Sequence, residues 1–161
     1  MIFITLGSQK FQFNRLLIAV DKLIKEKKIS EEVFAQTGFS DYEPKYFEYK
    51  QFLDREEFAK WEARADLVIT HGGTGAIIGA VKQGKKVIAV PRRAKYGEHV
   101  DDHQLQLVSQ FRELDLICEC CDCDKLEEAI EYAKATSFKS YQSNTYSIIS
   151  SIEGYIDMMK G

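Results

Sequence analysis

Residues 69–91 read ITHGGTGAIIGAVKQGKKVIAVP, and the residues able to do chemistry lie in the turn made by His71, Gly72, Gly73, Thr74 and Gly75. Glycines in such a turn let backbone N–H groups approach a ligand closely and admit positive φ. A helix starting directly behind them adds unpaired N–H donors and a positive dipole end. A phosphate or diphosphate is the ligand this combination suits. The turn lacks the Gly-Lys-Ser/Thr ending of a nucleoside triphosphatase, and a GxGxxG pattern would need glycine where Ile78 stands. A tight strand-to-helix turn with no ligand would use the same residues.

A second stretch, VPRRAKYGEHVDDHQLQLVSQF, places a charged loop after the next strand and starts a helix near Asp101, Asp102, His103 and Gln104. Two neighbouring strand ends would then carry polar loops side by side, one cradling phosphate and one reading a sugar or base. Arg92, Arg93 and Lys95 are either plain surface charge or contacts to the phosphorylated ligand or to an anionic bilayer. Asp101, Asp102 and His103 look like metal ligands, but at a helix start they read as an N-cap, and no metal site is expected. His71 is expected to be exposed beside its glycines, where it would polarise a phosphate or hydrogen-bond within the turn. Cys118, Cys120, Cys121 and Cys123 crowd into CECCDC, which fits neither a secreted disulfide framework nor paired CxxC zinc spacing. They are read as a strand and turn with alternate thiols buried.

The elements that must position these loops alternate. IFITLG reads as a buried strand, and FNRLLIAVDKLIKEKKI spaces its apolar residues as a helix. EVFAQTG and YFEYKQF read as strands, and DREEFAKWEARA as an amphipathic helix capped by Asp54. DLVIT, a helix stopped by Gly84, and KVIAVP follow; then come a helix over 100–111, a short strand in LICEC, and a helix capped by Asp124. Strands and helices in this rhythm make an α/β fold, a Rossmann-like parallel sheet with helices on both faces.

With 161 residues the chain suits one domain, 1–161. A hydrophobic content of 45% with 29% charged residues is ordinary for a soluble protein, and a net charge of −3 gives no pull toward nucleic acid. Met1 to Leu6 is too short for a signal peptide or membrane span, so a cytoplasmic location is expected. The segment 140–161 spaces Tyr146, Ile149, Ile152, Tyr155 and Ile156 along one helical face, which reads as a C-terminal docking helix or as cover for the chain's own sheet.

HGGTGAIIGAVKQGKKVIAVPR followed by YGEHVDDHQ resembles the C-terminal half of family 28 glycosyltransferases. The similarity is greatest to small, free-standing versions of that half in bacterial capsule and exopolysaccharide pathways. It extends to the soluble subunit of the eukaryotic dolichol-linked N-acetylglucosaminyltransferase. The resemblance implies the donor-binding half of a GT-B glycosyltransferase, which takes a UDP-sugar, with UDP-galactose or UDP-N-acetylglucosamine favoured. It implies that Gly73, Thr74 and Gly75 contact the diphosphate, with Gly72 also donor-binding, that Gly7 and Ser8 face the cleft, and that His103 and Gln104 contact the sugar or its phosphates. Many relatives carry a ribose-binding glutamate where Gly79 stands here, and Glu98 is the substitute considered.

The implied reaction is inverting hexosyl transfer to a lipid-linked saccharide, with no cofactor. His71 is the only catalytic candidate, and the base is expected from a membrane-anchored, acceptor-binding partner subunit that holds this chain at the inner face of the plasma membrane. A transferase complete in one chain, as a homo-oligomer, and a non-catalytic nucleotide-sugar-binding accessory protein are the alternatives.

Overall fold

A computed structural model describes residues 1–140 and 142. Strands β1 (Ile2–Thr5), β2 (Val33–Gln36), β3 (Glu48–Lys50), β4 (Leu67–His71), β5 (Lys86–Val90) and β6 (Cys118–Glu119) alternate with helices α1 (Asn14–Lys25), α2 (Arg55–Arg64), α3 (Thr74–Lys82), α4 (His103–Glu113) and α5 (Leu126–Ala135). Short 3₁₀ turns occupy Ala94–Tyr96 and Cys123–Lys125. The strands form one sheet in the order β3-β2-β1-β4-β5-β6, and every pairing is parallel. This is the expected Rossmann-like α/β fold.

Strands β1, β2, β4 and β5 are buried almost throughout because both faces of the sheet are covered there, whereas edge strand β3, Glu-Tyr-Lys, is exposed. Side chains alternate across each strand. Ile2, Ile4, Leu67, Ile69, Ile88 and Val90 join a core with Leu16, Leu17 and Val20 of α1 and Leu126, Ile130 and Ala133 of α5. Phe3, Val68, Val87 and Ala89 point the other way, to Ile77 and Val81 of α3 and Leu107, Val108 and Phe111 of α4. There Phe58 of α2 packs edge-on to Phe3, with centroids 5.2 Å apart, and Trp61 stacks on Phe34 at 3.8 Å.

Local signals decide where elements begin and end. Asp54 caps α2 as expected: its side chain accepts from the Glu57 N–H at 2.8 Å, and Glu57 returns a bond to the Asp54 N–H. Helix α1 stops at Lys25, short of the stretch to Ile29 that its sequence suggests, because Lys27 turns left-handed at φ 61° and Lys28 N–H bonds back to Leu23 O. Asp124 does not cap α5. Asp122 instead accepts from the Asp124 N–H at 2.9 Å, so a 3₁₀ turn precedes the helix. The expected docking helix falls, at residues 141 and 143–161, outside the described residues.

The sheet order reverses beside β1. The chain steps outward from β1 to β2 and β3, then returns to place β4 on the other side of β1. In open parallel sheets ligands bind outside the carboxyl ends of the strands at such a switch point. Here that point falls between the ends of β1 and β4, where Gly7 and His71 meet.

Candidate functional site

A cleft of about 510 Å³ opens at this switch point. Gly7 and Ser8 line it after β1, His71, Gly73, Thr74 and Gly75 after β4, and Gln36, Glu62 and Gly79 close it. Larger clefts lie beside the cysteine segment and between α1 and the loop at Glu98, but neither borders the glycine turn.

The turn is built by contact and not by left-handed backbone. Gly73, the N-cap of α3, has φ −80° and ψ 131°, and positive φ occurs among the described glycines at 7, 38, 84 and 97 only. The expectation that the turn exploits positive φ is thereby corrected. A Cβ on Gly72 would lie 2.8 Å from Gln104 Cβ and 2.9 Å from Val108 Cγ2, and one on Gly73 would strike the His71 ring. A Cβ on Gly7, which is left-handed at φ 71°, would come within 2.6 Å of His71 Nε2. Gly75 and Gly79 differ: nothing lies within 4 Å of where their Cβ would stand. No side chain caps α3, so the positive end of the helix meets this open wall.

Gln104 holds the turn from behind. It is buried, and its Oε1 accepts from the Gly72 N–H at 3.0 Å and the Arg92 N–H at 2.9 Å, tying the ends of β4 and β5 together. This is a correction to the sugar contact expected of Gln104, because its carboxamide is already engaged. With its oxygen committed to two donors, the Gln104 amide can only donate to His71 Nδ1, 3.4 Å away. His71 Nδ1 then accepts, and Nε2 carries the proton on the side of Gly7 and the cleft.

His71 is 5% exposed, not open to solvent as expected, because its ring fills the space left by Gly7 and Gly73. Burial, and then the positive charges of Arg92 and His99, push its pKa down to about 3. A neutral imidazole this weakly basic donates a hydrogen bond well but is a poor general base. His71 is thus suited to polarising a phosphate, the role considered for it, and not to acting as the base.

Arg92 is also buried, at 1% exposure, contrary to its reading as surface charge or a ligand contact. Its guanidinium donates to the carbonyls of Leu6 (2.6 Å), Phe11 (3.1 Å), Gln12 (3.3 Å) and Glu98 (3.1 Å), which moulds the β1–α1 loop. Glu98 is fully buried in a two-pronged pair with Arg15, both contacts at 3.0 Å, and also accepts from the Arg93 N–H. It does not line the cleft and is no substitute for a carboxylate at Gly79.

Asp102 accepts from the Ala94 N–H and pairs with Arg93 without capping α4, while Asp101 accepts from the His103 N–H. His103 begins α4 and does not line the cleft. Cys118, Cys120 and Cys123 are buried and Cys121 is exposed, with burial pushing the first three thiols up to about 11, 12 and 11. Among the described residues, no group of His, Cys, Asp and Glu is arranged to hold a metal ion, and no helix is long and apolar enough to cross a membrane.

The sequence matches the glycosyltransferase family 28 C-terminal domain over residues 1–157. The chain belongs to this family. Two solved structures are similar to the family 28 domain at 16% identity. A glycotransferase of kitacinnamycin has a TM-score of 0.61, with 96% of this chain and 38% of that one covered. MurG of Acinetobacter baumannii has a TM-score of 0.60, with 95% of this chain and 49% of that one covered. These likenesses show the fold, and the family 28 domain spans less than half the length of either structure. No curated protein matches the chain.

Sequence reasoning passed over Gln36 and Glu62, which line the cleft. Gln36 sits at the end of a buried strand two residues before Gly38, a position that could have flagged it. Glu62 had no signal, since a glutamate in an amphipathic, charged helix reads as solvent-facing.

Proposed function

We propose that the chain is the donor-binding part of an inverting glycosyltransferase that transfers a hexose from a UDP-sugar, UDP-galactose or UDP-N-acetylglucosamine, to a lipid-linked saccharide in capsular or exopolysaccharide synthesis. The observation that carries this reading is the uncapped N-terminus of α3, which meets an open glycine wall at the β1–β4 switch point. The diphosphate rests on the N–H groups that follow Gly73, and Nε2–H of His71 donates from the floor.

In the reaction an acceptor hydroxyl attacks the anomeric carbon of the donor. The bond from that carbon to the phosphate oxygen breaks with inversion, and UDP departs with the electron pair. Charge grows on the leaving phosphate, where the positive end of α3 is preorganised to stabilise it. The attacking hydroxyl must also lose a proton, and His71 is too weakly basic to take it. The base therefore comes from the acceptor-binding half, a membrane-anchored partner subunit that keeps this chain at the inner face of the plasma membrane. Residues 140–161 dock onto that partner, so a chain lacking them should bind UDP yet fail to support transfer in the reconstituted pair.

Titration calorimetry with UDP and UDP-galactose, with and without chelator, tests the reading directly. Saturable binding that survives the chelator supports it, and absence of binding refutes it. The weak basicity of His71 also fits an accessory protein that holds the donor without chemistry. Transfer by the partner alone, which this chain accelerates only while its glycine turn is intact, would favour that second reading.

A further inference from the structure

Gly75, Gly79 and Gln83 follow one another at intervals of four residues and so share one face of α3. With open space at both glycines, this face is a trough that runs from the helix N-terminus about 6 Å, one turn, into the cleft. Beyond Gly79, Gln83 Nε2 donates to Glu62 Oε1 at 2.7 Å and fixes the Glu62 carboxyl beside the trough. Glu62 is 4% exposed, and burial raises its pKa against the pull of Lys85. A buried carboxyl on a cleft wall is costly unless a partner satisfies it.

Gln36, at the end of β2, lines the same cleft at 7% exposure, and its Oε1 is buried with no hydrogen-bond partner. Buried amide oxygens in folded chains are nearly always paired. Two acceptors that line one cleft call for a ligand that brings uncharged donors, because the anionic part of the ligand belongs at the helix N-terminus. Neighbouring hydroxyls on a sugar ring have that chemistry.

We propose that Glu62 and Gln36 are acceptors for ring hydroxyls of the donor, supplied by its ribose or by its hexose. The inference rests on the nucleotide-sugar reading above. A diphosphate at Gly75 has a ring attached at each end, and the ring that lies along the trough runs past Gly79 toward Glu62. The pair would make the site discriminate by hydroxyl count, with Glu62 supplied by the helix before the glycine turn.

The test is calorimetric titration of the parent, Glu62→Ala and Glu62→Gln with UDP, 2′-deoxy-UDP and UDP-galactose. We expect the parent to show a preference of about tenfold or more, the size of a hydrogen bond to a charged group. UDP over 2′-deoxy-UDP identifies the ribose, and UDP-galactose over UDP identifies the hexose. Glu62→Ala should lose that preference, and Glu62→Gln, which keeps the size and the bond to Gln83, should reduce it even if the alanine variant folds poorly. A parent that binds UDP without either preference, or folded Glu62 variants that keep the preference, would overturn the proposal. A parent that binds no UDP overturns the donor-binding function itself, and this proposal with it.

Discussion

Replacing Gln104 by alanine separates two accounts of this residue. In the structure its carboxamide oxygen accepts from the buried N–H groups of Gly72 and Arg92, at 3.0 and 2.9 Å. Alanine leaves both donors without that partner, and each unsatisfied buried group costs about 1–3 kcal/mol. Together they amount to about 2–6 kcal/mol, which for a domain of this length corresponds to a melting temperature about 4–24 °C lower. The Gly72 N–H is part of the phosphate turn, so the loss should also loosen the turn and weaken UDP and UDP-galactose by the same factor. Calorimetry with both ligands, beside thermal unfolding, measures the two effects independently. A variant that melts within about 2 °C of the parent, binds UDP normally and loses only UDP-galactose would show that Gln104 reads the sugar, and the bracing argument would be wrong.

Gly75→Val should fold, because its Cβ meets open space and no positive φ is required there, yet fail to bind UDP, because the side chain occupies the diphosphate position; unchanged affinity in the folded variant would move the phosphate elsewhere. His71 should make stability depend on pH. Its pKa in the folded chain, about 3, lies below the ordinary 6.5, so between these values the unfolded chain binds the extra proton and stability is lost as pH falls. The slope is at most about 1.4 kcal/mol per pH unit, and urea unfolding at pH 7, 5 and 4 should find it missing in His71→Asn. Alkylation of the native chain should modify Cys121 at least about tenfold faster than the three buried thiols; equal rates at all four would refute their packing.

Most of the order of strands and helices was readable because β1, β4 and β5 repeat a strong pattern, an apolar strand followed by a helix with period 3.6. The glycine turn and the loop after β5 were readable for the same reason, since both fall where a strand pattern gives way to a helix. The side chains at the site were harder. His71, Arg92, Glu98 and Gln104 are polar residues in apparently polar loops, and composition alone assigns them to solvent. Their burial follows from the way three loops converge at one end of the sheet, where unpaired backbone groups must find partners. Arg92 satisfies four carbonyls and Gln104 two N–H groups, and no window of local sequence records a need that arises only after β1, β4 and β5 lie side by side.

The glycines show how a bracing role can be told from a ligand-facing one. Gly7, Gly72 and Gly73 are glycine because the protein itself occupies the place of their side chains, with His71 against the first and third and Gln104 and Val108 against the second. Substitution there damages the fold and so reports nothing specific about a ligand. At Gly75 and Gly79 no protein atom occupies that space, and helix propensity alone would favour alanine over glycine by about 1 kcal/mol at each. Two glycines that cost helix stability and fill no packing requirement, one turn apart and facing a cleft, make sense if something other than the chain lies against them. Alanine at 79 then becomes a sharp discriminator: without a ligand it should stabilise α3, and with UDP-sugar present it should narrow the trough beside Glu62 and weaken binding. A variant that gains stability and binds the donor as tightly as the parent would leave Gly79 without a ligand-facing role.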